Sequence, residues 1–168
     1  MPQKMLNPNT TLWVVPEIGV VDPDAPKAGE INAGVNISCA VVRGYTLNPT
    51  GSSTDDSASI CDTGNVSNRL YDNYEGTVTM FRDADEADAE SIYNIAFELF
   101  NKPDQRVWVY RRLGKRNTVA AATGDTVEGF LFTNDNITSV DGGDNGPVQF
   151  TVPFLPQGHY TGYVKVTA

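Results

Sequence analysis

The chain has 168 residues, 40% hydrophobic and 20% charged, enough for one domain with its own core; disorder and membrane spanning are excluded. Twelve Lys and Arg stand against 21 Asp and Glu, and the resulting net charge of −9 opposes adhesion to DNA or anionic membranes. Cys39 and Cys61 match no zinc or redox spacing and His159 is the single histidine, so no cofactor is expected.

No apolar run of the length a secretory signal needs comes after Lys4, which places synthesis in a cytoplasm. Leu12 to Val15 (LWVV) suits a short strand. Pro16, Pro23, Pro26, Gly29 and Gly34 then interrupt the chain, so residues 1–34 are expected to form an extended arm that lies on something. The single β-domain runs over 35–168. It opens with a strand at Asn36 to Arg43 (NISCAVVR), rich in β-branched and apolar residues.

Residues 46–68 are dominated by Ser, Thr, Asp, Asn and Gly, and read as a long loop. A loop of that length inside a compact domain calls for either disorder or a functional projection, and projection is the better fit. For the two cysteines, one before this loop and one within it, a buried apolar role and a disulfide across it are both open.

Asn73 to Asp83 (NYEGTVTMFRD) alternates, with Tyr74, Gly76, Val78 and Met80 on one face and Glu75, Thr77, Thr79 and Phe81 on the other. Five carboxylates come next within eight residues, from Asp83 to Glu90, and then Ala89, Ile92, Tyr93, Ala96, Phe97 and Phe100 recur at helical spacing. Asp83 and Glu86 resemble a capping box, predicting a helix over about 84–101.

Downstream, strands are predicted at Val107 to Arg112, Thr126 to Thr133, Val148 to Phe154 and Tyr160 to Thr167. Pro153 and Pro156 imply a bend between the last two. About seven strands and one helix suggest a mainly β two-sheet sandwich or partly open barrel with the helix on its flank.

Chemistry-bearing motifs are weak. Asp141 to Gly146 (DGGDNG) lacks the terminal carboxylate of a calcium loop and reads as a turn. His159 has no nucleophile motif beside it, and Gly124 and Gly129 are too isolated to cradle phosphate. No enzyme is indicated.

Arg106 to Arg116 (RVWVYRRLGKR) holds five of the twelve cations and interleaves Trp108 with Tyr110. A stacking platform for single-stranded nucleic acid has this composition. So does a half-buried strand ending in a cationic turn, and Arg111, Arg112, Lys115 and Arg116 would then meet Asp83, Asp85 and Glu86 on another copy of the chain.

Four segments together, Glu30 to Val41, Ser59 to Asn65, Asn73 to Asp83 with the helix after it, and Phe150 to Gly158, resemble the major tail or tail tube proteins of long-tailed bacteriophages, particularly those of actinobacteria. The resemblance implies a β-sandwich whose subunits form hexameric rings that stack into a tube in the virion tail, assembled in the host cytoplasm. It also implies tape-measure, tail-tip and tail-terminator partners, with DNA only in transit. By position and character, the loop with Asp55, Asp56, Ile60 and Asp62 would bridge rings, and Glu75, Thr77 and Thr79 would face the lumen. A strand pair around Glu128 is an equal candidate for the lumen. A virion decoration or carbohydrate-binding sandwich is the alternative, and would need a planar set of exposed aromatics.

Overall fold

The computed structural model describes residues 9–61, 63–64, 66–142 and 146–168. Its strands are β1 (Thr10–Pro16), β2 (Val35–Asn36), β3 (Thr46–Asp55), β4 (Asn68–Phe81), β5 (Arg106–Leu113), β6 (Thr126–Asn134), β7 (Thr138–Val140) and β8 (Gln149–Lys165); its α-helices are α1 (Ala28–Ala33) and α2 (Ile92–Phe100). The strands form one antiparallel sheet in the order β2-β1-β5-β6-β8-β4-β3, with β7 paired to the start of β8. The mainly β expectation is met as a single curled, unclosed sheet.

Curling results from where the apolar side chains go. Leu12, Val14, Val107, Val109, Phe130, Phe132, Val78, Met80, Phe150 and Val152 share one core with Ala96 and Phe100 of α2, so strands from across the sheet and the helix surround the same interior. Segment 35–42 spans the remaining gap: Asn36 pairs with Trp13 of β1, while Val42 N–H donates to Thr79 O and Phe81 N–H to Ala40 O of the same segment. The predicted strand 36–43 is therefore broken, because the segment must leave one edge to reach the other.

The predicted arm is corrected. β1 is an interior strand with seven register pairs to β5, and its uninterrupted apolar run is buried on both faces. Trp13 and Val15 face a second core with Trp108, Tyr110, Val127 and Leu131. Residues 17–34 cover that core: Ile31 of α1 is fully buried, and Ala28 N–H and Pro26 O bond to Thr167.

The helix is shorter than its periodicity predicts. Asp83, Asp85 and Asp88 each accept the N–H two residues on, and such local turns compete with helical hydrogen bonds. Helix α2 thus begins at Ile92, with Asn94 Nδ2 bonded back to Asp85 O and Asp88 O. The expected capping box does not form.

The two last strands are one. β8 accompanies β4 only as far as Phe154 and β6 from there to Lys165, with two register shifts and Gly158 at φ +80°. The predicted bend is this irregularity. The N–H groups of Gln157 and His159 donate to Tyr74 Oη at 2.9 and 3.1 Å, and Tyr74 Oη donates to Leu131 O at 2.6 Å. Beside it, Gly76 leaves room for Phe132, whose Cζ would lie 2.6 Å from any Cβ added there.

Both expectations for the cysteines fail: Cys39 and Cys61 are exposed and free. The turn predicted at 141–146 lies partly outside the described residues.

Candidate assembly surfaces

The predicted loop 46–68 is mostly a projecting β-hairpin. β3 pairs with β4 from Thr46↔Thr77 out to Asp55↔Asn68, but β4 pairs with β8 only from Gly76 onward, so residues 68–75 have β3 as their one ladder partner, and of these Tyr74 alone is buried. Residues 68–73 are all exposed, Leu70 and Tyr71 among them. Cross-strand side chains hold the arm: Arg69 Nε donates to Ser52 Oγ at 2.8 Å, and Asn73 Nδ2 to Gly51 O at 2.9 Å. At its far end stand Asp55, exposed Asp56 and fully exposed Ile60. Hydrogen bonds from the Ser57 hydroxyl and N–H hold the Asp55 carboxyl below the ordinary range. Asp62 lies outside the described residues.

Alternation in β4 is as predicted: Tyr74, Gly76, Val78 and Met80 are buried, while Glu75 and Thr77 are exposed and Thr79 half-buried. Register extends the outer face across the sheet. Asn48 lies opposite Glu75, Thr46 opposite Thr77, and Thr151 opposite both Thr79 and Thr138, with Thr79 and Thr151 hydroxyls 2.8 Å apart. The threonines of β3, β7 and β8 carry no signal in the sequence, because they share a face with β4 only through register. Glu128, the rival surface carboxylate, is only 2% exposed and takes Arg111 Nε and Nη2 on one oxygen at 2.8 and 2.6 Å and Tyr160 Oη on the other at 3.0 Å. Buried and paired in this way, it is no longer a candidate for a lumen. Burial and the adjacent Glu128 charge push the Tyr160 hydroxyl up to about 12.

The cationic turn is largely turned inward. Arg112, 1% exposed, donates to Asp125 Oδ2 at 2.9 Å, Thr11 Oγ1 at 3.2 Å and the carbonyls of Ala120, Arg116 and Val119 at 3.0, 3.1 and 2.5 Å. Its guanidinium lies 4.8 Å from the centre of the Trp13 ring. Lys115 pairs with the other oxygen of Asp125. Desolvation opposes ionisation of Asp125, but hydrogen bonds from Lys115, Arg112 and Ala122 N–H outweigh it and hold the carboxyl below its ordinary value. Arg111 and Arg112 are thus neutralised within the chain, and Arg116 is the member left exposed without a carboxylate among the described residues.

The acidic side is similarly engaged. Asp83 is bonded to Ser91 Oγ and Glu86 to Arg82 at 2.9 Å, which leaves Asp85 exposed. Trp108 and Tyr110 stack on each other inside the second core, so the nucleic-acid platform reading is overturned. With Trp13 also buried, three of the aromatics a sugar-binding face would need are unavailable to it.

The fold is thus a curled, unclosed antiparallel sheet with an exposed hairpin and an unpaired outer edge on β3. The chain belongs to the phage tail tube protein family, whose model matches residues 1–168, and is accordingly a virion tail component. Among solved structures, a chain of the anti-feeding prophage baseplate, determined by cryo-electron microscopy with 6-fold symmetrisation, shares the fold at 14% identity and TM-score 0.50, with 95% of each chain covered. No curated protein matches.

Proposed function

We propose that the protein is the repeating, non-enzymatic subunit of a tail tube, assembled in the host cytoplasm from stacked hexameric rings. Two open ladders support side-by-side closure: the outer edge of β3, last in the sheet order, and the edge of β8 beyond His159, where β4 has parted from it. Pairing one with the other on a neighbour is a heterologous contact that closes by rotation and leaves neither of these two edges exposed. The observation that carries the reading is the family match over the whole chain joined to this forked sheet.

In such a ring the outer face of β4 lines the lumen. Glu75, Thr77, Thr79, Thr46 and Thr151 offer hydroxyls and one carboxylate, which do not hold a phosphate backbone as lysine or arginine does. DNA then passes during ejection without adhering. A tape-measure protein sets tube length, and tail-tip and terminator proteins cap the ends. Negative-stain electron microscopy of the purified protein at high concentration, beside its mass by light scattering, tests the reading. Rings or hollow tubes are expected; a monomer that persists even with tail-tip complexes added as initiators overturns it.

A further inference from the structure

A pocket of about 200 Å³ opens where segment 35–42 crosses from β1 to β4. Leu12, Val41, Val42 and Tyr45 give it an apolar lining, while Arg43 and Asn117 add polar groups. Arg43 is exposed, and so is Arg116, next to Asn117; neither has a carboxylate partner among the described residues. The hairpin tip has the matching pattern. Ile60 is fully exposed, and Asp55 and Asp56 precede it with no cation paired to them among the described residues.

Tip and pocket belong to the two ends of one arm. β3 begins immediately after Tyr45 and runs ten residues, which at about 3.3 Å per residue puts its far end roughly 30 Å from the pocket. A chain therefore does not reach its own pocket with its own tip. We propose that the hairpin tip of one copy docks in this pocket on the next copy, with Ile60 against Leu12, Val41 and Val42 and with Asp55 and Asp56 against Arg43 and Arg116. The contact is heterologous, with its two halves at opposite ends of a stiff arm, so each copy carries both a tip and a receptor, and successive contacts that do not close by rotation give an open polymer with polarity. It rests on the tube reading and adds the receptor for the arm.

The two cysteines report on it without any added label site. Cys61 is the residue after Ile60 at the tip, and Cys39 Sγ accepts a hydrogen bond from Asn117 Nδ2 at 3.0 Å beside the pocket. Docking brings Cys61 of one copy near Cys39 of another. The full-length protein at high concentration is treated with a short bis-maleimide, separated on denaturing gels, and its linked peptides are identified by mass spectrometry.

The expected result is a ladder of multimers joined 39 to 61. Cys39→Ser and Cys61→Ser each abolish the ladder, and mixing those two variants restores dimers. Arg43→Glu, checked as folded by its melting curve, reduces the ladder at least tenfold, and adding Asp55→Lys with Asp56→Lys to the same chain recovers it. Links confined to 39–39 or 61–61, or none in protein that forms tubes under the microscope, overturn the docking and leave the tube reading standing. Absence of both links and tubes overturns both.

Discussion

Arg112 is the largest fully buried side chain among the described residues, and its role is to tie the 114–125 turn to the sheet. Three turn carbonyls, Asp125 and Thr11 take its donors, so its removal leaves several carbonyls without a partner away from water and takes from Asp125 its buried cation, with Lys115 alone remaining. Breaking a buried, hydrogen-bonded ion pair from one side costs about 3–5 kcal/mol. Arg112→Ala should lose about that much stability in urea unfolding, and Arg112→Lys should recover only a part, since an ammonium does not span the planar fork's several acceptors. Asp125 adds a pH signature. Its folded-state ionisation lies below its unfolded one, so its contribution is present above the unfolded value, near pH 4, and is lost as pH falls through the folded value. Melting temperature should therefore drop on acidification below about pH 4, more steeply in the native protein than in Asp125→Asn, which starts lower and is flatter there.

Elements are legible in the sequence in proportion to how unevenly their faces are buried. β4 has one wet and one dry face over Tyr74 to Phe81, and its period of two stands out. The hairpin stretch of β3 has no dry face beyond Leu47, so nothing forces alternation, and its Ser and Thr content reads as loop although its backbone is a strand. β1 fails the opposite way: both faces are buried, so its run of apolar residues is short and unpatterned, and the prolines after it dominate the reading. The acidic stretch before α2 misleads because Asp side chains satisfy their own neighbouring N–H groups as readily as they cap a helix. As for the candidate surfaces, the Glu75 face is visible in one strand, but the inward turn of Arg111 and Arg112 depends on partners at Glu128 and Asp125, across a strand pair and a loop. Because the hairpin buries little, replacing residues 56–67 by an Asn-Gly turn should leave the melting temperature within about 3 °C of the native value, since exposed segments contribute little to stability. Tubes should no longer elongate, as seen by light scattering. Elongation at the native rate would remove the tip from any inter-copy contact.

At the scale of the whole molecule, the net charge of −9 is unevenly spread. Asp83, Asp85, Glu86, Asp88, Glu90 and Glu98 cluster before and along α2, whereas the outer face of β4 between Tyr74 and Phe81 carries Glu75 as its one carboxylate. Net charge alone therefore says little about the proposed lumen; the sign at position 75 says more. In a closed ring each copy contributes that position at the same height, so one substitution changes a whole girdle of charge at once. Glu75 has no ion pair among the described residues and its side chain is exposed, so Glu75→Lys should not disturb folding or ring closure. Tubes of normal appearance are expected by negative stain. In phage carrying the substitution, the girdle becomes cationic and attracts passing phosphates through counterion release, an attraction that weakens steeply with salt. Genome ejection, followed by dye entry or DNA release in vitro, should then slow at low ionic strength and recover toward the native rate as salt is raised. Ejection unchanged at every salt concentration would place Glu75 outside the path of the DNA.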